Sequence, residues 1–192
     1  MQNDYIGTLQ TSINVAGREY KIRHDFRPCL DIMIMFEDLD LTDNEKMVGM
    51  LRIIYEDENV PLCDESVEKA VRFLNMGNGP SRGRSANYGT LYTWSQDSIY
   101  IFAAIDRVLG YSSRRCEYLH WWEFMGAFLE IGECTFSNIV HLRKQKKKGK
   151  LTKEEKEYWN ENIDTLELQE RLTYDEQLQL ERFLQLAKGG GS

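Results

Sequence analysis

Three histidines, His24, His120 and His141, and four cysteines, Cys29, Cys63, Cys116 and Cys134, are the side chains best equipped for chemistry. Cys116 and His120 stand four residues apart, which puts both on one face of a helix. Cys134 and His141 would bring the donors to the four that a tetrahedral zinc ion takes. Structural zinc sites draw on tight cysteine pairs, however, and the chain has no Cys-x-x-Cys. Scattered thiols behave as small apolar core residues. We therefore read the cysteines as reduced packing groups and His120 as a packed polar residue, and expect no metal or other cofactor.

Covalent catalysis finds no better footing. The chain lacks a Gly-x-Ser-x-Gly elbow and a His-Glu-x-x-His helix. The Gly77–Gly89 stretch holds SRGRS but not the Gly-x-x-x-x-Gly-Lys-Ser/Thr cradle that phosphates require. With 31 acidic residues, neighbouring carboxylates arise by chance. A non-enzymatic protein is expected, with a small enzyme or zinc protein as the lesser alternative.

The net charge of −7 opposes nucleic-acid binding, which needs a basic surplus to neutralise phosphates. One basic run, RKQKKKGK at Arg143–Lys150, has no interleaved aromatic for base stacking and reads as a solvated linker. No apolar run is long enough to span a bilayer, and the N-terminal residues lack the apolar stretch of a secretory leader. A cytoplasmic location without membrane or nucleic-acid contact follows as an expectation.

The aromatic residues carry the most information: 4 Trp, 10 Tyr and 8 Phe. Adjacent Trp121 and Trp122 would point about 100° apart on a helix. One suits the core and the other a boundary or interface, unless the helix is covered on two sides. Tryptophan is favoured at binding hot spots because it buries a large area with few rotatable bonds. Trp94, Trp121, Trp122 and Met125 are thus the candidate partner-binding residues.

The elements that must position them read as mainly α. Ile13, Val15, Tyr20 and Ile22 alternate around Ala16-Gly17, a short β-hairpin. A helix begins at Asp25 with Pro28 in its first turn. Thr42 and Glu45 form a capping box for the next, and Val67, Ala70, Val71 and Leu74 mark a third, closed by Gly77. Met76–Gly89 is a loop. Asp97–Leu109 is a helix with Ile99, Phe102, Ala103 and Ile105 inward. Glu117–Ile131 is the aromatic helix, and Thr135 caps another. Thr152–Glu155 and Thr173–Glu176 repeat the capping box. Lys153–Lys188 reads as charged helix, with Leu178, Phe183 and Leu184 available for burial. We expect a multi-helix bundle over residues 1–142, a basic linker over 143–150 and a C-terminal helical segment over 151–188. The Gly-Gly-Gly-Ser of 189–192 resembles a linker scar.

Five segments then resemble one family. VAGREYKIRHDFR (Val15–Arg27), TWSQDSIYIFAAIDRVLGY (Thr93–Tyr111), LHWWEF (Leu119–Phe124), FSNIVHLR (Phe136–Arg143) and KEEKEYW (Lys153–Trp159) are similar, in this order, to the "gene product fifteen" proteins of the tail region in phages of Gram-positive bacteria. The resemblance spans Val15–Trp159 and leaves Leu166–Lys188 uncovered. It implies a tail assembly chaperone that binds the tape measure protein, the tail tube protein or both in the host cytoplasm, with self-association as a further contact. The alternative it leaves open is a structural tail or connector component retained in the virion. It implies no catalytic residues.

For a chaperone of that kind, Met33, Met35, Met47, Met50 and Met125 would supply adaptable surface beside a tryptophan anchor.

Overall fold

The computed structural model describes residues 8–78, 88–169, 173, 178 and 179. Strands β1 (Ser12–Val15) and β2 (Arg18–Lys21) pair antiparallel, with Ile13 opposite Tyr20 and Val15 opposite Arg18. Ala16 and Gly17 both take positive φ, 49° and 82°. That is what a two-residue turn matching the strand twist demands. Alternation buries Ile13, Val15 and Tyr20. Two strands alone are marginal in water, and this hairpin lies against the third helix.

The helices follow in order: α1 (Phe26–Phe36), α2 (Asp43–Ile54), α3 (Asp64–Leu74), α4 (Ser98–Leu109), α5 (Trp121–Leu129), α6 (Thr135–Lys147), α7 (Lys153–Glu161) and α8 (Ile163–Leu166). A 3-10 turn at Ser113–Arg115 precedes α5. The mainly α fold with an N-terminal hairpin and helices continuing toward the C-terminus is as the sequence implies.

Local chemistry explains the boundaries. The Asp25 carboxylate accepts the Arg27 amide at the start of α1. Thr42 and Glu45 satisfy each other's amides at the start of α2, as do Thr152 and Glu155 before α7. Gly110, at φ 76°, takes the left-handed conformation that ends α4.

One core gathers Ile13, Ile22, Phe26, Ile54, Phe73, Ile105 and Phe124 beneath the hairpin and α1–α5. A second, smaller one holds Ile139, Trp159 and Leu166 from α6, α7 and α8.

Several expectations need correction. On α4 the enclosed residues are Ile101, Phe102, Ala104 and Ile105, whereas Ile99 is 62% exposed. Both α5 and α6 pack on this helix, so its covered face is wider and turned from a single stripe. The aromatic helix starts at Trp121, not Glu117, because Phe26 N–H donates to Leu119 O and Trp121 N–H to His24 O, holding the preceding residues extended. The cap of α6 is Cys134, whose Sγ accepts the Ser137 amide, and not Thr135.

The largest correction concerns the linker. Residues 143–147 are the last turns of α6, and Arg143 is only 2% exposed. Beyond it, Trp159 and Leu166 fold back onto Ile139. Residues 151–166 therefore pack against α6 instead of following a solvated linker. The Met76–Gly89 loop and the Thr173–Glu176 box lie largely outside the described residues, as do Phe183, Leu184 and residues 189–192. Leu178 is half-buried.

Candidate interaction surface

The tandem tryptophans divide their work at one place. Trp121 is fully enclosed and its Nε1–H donates to Leu74 O at 2.9 Å. Trp122 is half-buried and its Nε1–H donates to Phe73 O at 2.8 Å. Both acceptors lie at the end of α3, where helical carbonyls lack intrahelical partners. The two indoles thus close α3 from outside while anchoring α5. Trp94 is 5% exposed and stacks obliquely on Phe128, with ring centroids 4.9 Å apart.

The predicted partner-binding residues sit at different depths. Trp121 is wholly enclosed and Trp94 nearly so, the latter packed on Phe124 and Phe128 of α5. Trp122 and Met125 are half-buried and packed against the same core. Met50 is fully buried, Met33 and Met35 are half-buried, and Met47 is 37% exposed.

His120 supports the start of α5. Its Nδ1 accepts the Trp122 amide at 3.0 Å, and its Nε2–H donates to Gln10 O at 2.9 Å. That tautomer occupies both ring nitrogens of the neutral form. His24 stacks beside it, at 5.3 Å between centroids, and meets Tyr118 Oη through its own Nδ1 at 2.7 Å. Burial, reinforced by the nearby His24, pushes the His120 pKa down; its bond to the Gln10 carbonyl acts the other way.

Asp97 and Arg143 form the most enclosed ion pair among the described residues, 1% and 2% exposed at the side chain and 2.7 Å apart. Asp97 also accepts the Thr93 amide. Arg143 donates further to Leu91 O, Thr165 O and Leu166 O. One guanidinium thereby binds the segment before α4 to the end of α8.

Apolar surface is left elsewhere. At the corner between α1 and α2, Ile34, Phe36, Leu39 and Met47 are 36%, 40%, 56% and 37% exposed. Lys46 Nζ donates to Phe36 O across this corner, which fixes the end of α1 against the start of α2. Of these residues, Met47 is among the methionines expected to supply adaptable surface; Phe36 and Leu39 are additions from the structure. Their signal was present: large apolar residues next to the polar run that precedes the Thr42 cap.

Against known families, the model described as "Bacteriophage Gp15 protein" matches residues 6–168. The chain belongs to this family. Neither the curated proteins nor the solved structures give a match. The matched region runs past both ends of the Val15–Trp159 resemblance and takes in α8. Membership makes this a bacteriophage protein and suggests a structural or tail-region role.

In this Gp15-family protein the segments that carried the resemblance are parts of the scaffold. Asp97 of Thr93–Tyr111 meets Arg143 of Phe136–Arg143, and His120 and Trp121 of Leu119–Phe124 touch Gln10 and Leu74. The zinc donors considered from the sequence have separate tasks. Cys116 Sγ–H donates to Ser113 O, His120 caps α5, Cys134 caps α6, and His141 lies beside Gln145. No group of three or more metal-ligating side chains occurs among the described residues. Among those residues, no helix is long and apolar enough to cross a membrane.

Proposed function

We propose that this protein acts during phage tail assembly, in the host cytoplasm, by binding other phage proteins: the tape measure protein, the tail tube protein or both. The observation that supports this reading is the α1–α2 corner, where Ile34, Phe36, Leu39 and Met47 remain open on a member of the Gp15 family. A tape measure is a long, apolar, helical chain that aggregates if left bare. A chaperone for it needs an apolar contact surface on an otherwise soluble, acidic body, and this chain carries a net charge of −7. Moderate affinity per site suits a contact that tube subunits must later displace.

Co-expression with the tape measure and tail tube proteins of the same phage, followed by size-exclusion chromatography, tests the reading. A shared peak that is lost with Phe36→Asp and Leu39→Asp supports it. Separate elution of all three proteins defeats it. Abundant recovery of the chain from purified virions would instead mark a structural tail or connector component.

A further inference from the structure

A second feature lies on the other side of the chain's charge pattern. Between α6, α7 and α8 is a cavity of about 430 Å³, bordered by Lys146, Leu151, Lys156, Trp159, Asn160 and Ile163. That volume falls within the roughly 300–1,000 Å³ typical of ligand pockets. Leu151, Trp159 and Ile163 give it an apolar lining, to which Lys146 and Lys156 add two ammonium groups. Lys146 Nζ lies 4.1 Å from the Trp159 ring centroid and pairs with Glu167 at 2.9 Å. Lys156 is exposed and makes no ion pair with a described residue. Trp159 is 5% exposed, and its Nε1–H is buried without an acceptor.

We propose that this pocket docks an acidic segment of a partner polypeptide. The segment seats one apolar side chain on Leu151 and Ile163, beside the nearly enclosed Trp159, and pairs a neighbouring carboxylate with Lys156. Charge complementarity decides the sign of the occupant. The charged residues that line it are the cations Lys146 and Lys156, next to the Lys144–Lys150 run, while Glu154, Glu155, Glu157 and Glu161 of α7 stand outside the lining. Apolar lining between the lysines favours a side chain over a phosphate backbone, which would need cations alone. The proposal rests on the protein-binding reading above and gives it a second contact of defined chemistry, remote in sequence from the α1–α2 corner.

The test uses nitrogen-15-labelled full-length protein and follows the tryptophan indole signals by NMR, with Trp159→Phe assigning the Trp159 signal. Three probes are titrated: a peptide of three Glu-Leu-Glu-Ala repeats, the same peptide with lysine for glutamate, and a twelve-nucleotide oligothymidylate. The acidic peptide is expected to move the Trp159 signal, and Lys156→Glu to weaken its binding by about fivefold to tenfold. Ile163→Asp is expected to weaken it as well. Both replaced side chains are exposed, so the fold should be retained. No shift with the acidic peptide at millimolar concentration overturns the proposal, as does equal or stronger binding of either control. In the co-expression experiment, a complex unchanged by Lys156→Glu and Ile163→Asp removes this contact while leaving the protein-binding reading intact. Absence of any complex with the wild-type chain defeats the reading itself.

Discussion

Asp97 and Arg143 lie 46 residues apart in the chain and 2.7 Å apart in space, with almost no solvent between them. Removing one partner of such a pair leaves the other charge buried and unmatched, which costs about 3–5 kcal/mol. We expect Arg143→Met to lose stability on that scale in urea unfolding. A loss under about 1 kcal/mol would mean that water reaches the pair and that it does not hold the two cores together.

His120 predicts an acid-sensitive fold. Its pKa is lowered in the folded chain, from an ordinary value of 6.5. The unfolded state therefore takes up its proton first as the pH falls. Stability from this residue is complete above about pH 6.5 and is lost as the pH drops toward the lowered value. Protonation at Nδ1 would also abolish the bond to the Trp122 amide. His120→Asn keeps a capping oxygen without a titrating ring. The wild-type melting temperature should fall between about pH 7 and pH 5 more steeply than that of His120→Asn; parallel curves would discount the mechanism.

The tandem indoles should separate on mutation. Trp121→Ala empties a wholly enclosed site and should cost about 3–5 kcal/mol. Trp122→Phe keeps most of the ring packing but removes the donor to Phe73 O, at about 1 kcal/mol. Similar losses from the two, by urea unfolding, would contradict their different burial.

Cysteine labelling offers a check without mutation. Cys63 is exposed and Cys29 is fully buried, its thiol pKa pushed well up by burial and then by Asp25. A small disulfide reagent should modify Cys63 first, and Cys29 only when denaturant opens the core. Prompt reaction of all four thiols in native buffer would be inconsistent with this packing.

Gly110 gives a backbone test. Its φ of 76° admits glycine readily and other residues at a cost. Gly110→Ala should destabilise by about 1 kcal/mol, although a new Cβ would meet nothing within 4 Å. Gly132, also in open space but without positive φ, is the control. Equal melting temperatures for the two alanine variants would argue against strain at the end of α4.

Much of this architecture was legible because short-range rules govern it. Capping boxes at Thr42 and Thr152, the Ala16-Gly17 turn and the Gly110 stop each need only a few adjacent residues. What escaped was long-range. Nothing near Arg143 distinguishes it from the lysines that follow, so the basic run read as solvated. Its partners at Leu91, Asp97, Thr165 and Leu166 come from distant segments. Residue type marks the tryptophans as large anchoring side chains but does not tell an anchor within the fold from one for a partner. Trp121 and Trp94 proved internal. The cavity at Trp159 was missed because its wall comes from three helices whose packing the charge pattern concealed.

The reach of Arg143 has a practical corollary for anyone trimming this polypeptide. A shortened version ending near Lys150 would strip away the Thr165 and Leu166 oxygens that Arg143 binds and leave Ile139 without the cover of Trp159 and Leu166. What looks like a dispensable tail is, as far as Leu166, the clasp that fastens the first hundred residues to the last helices.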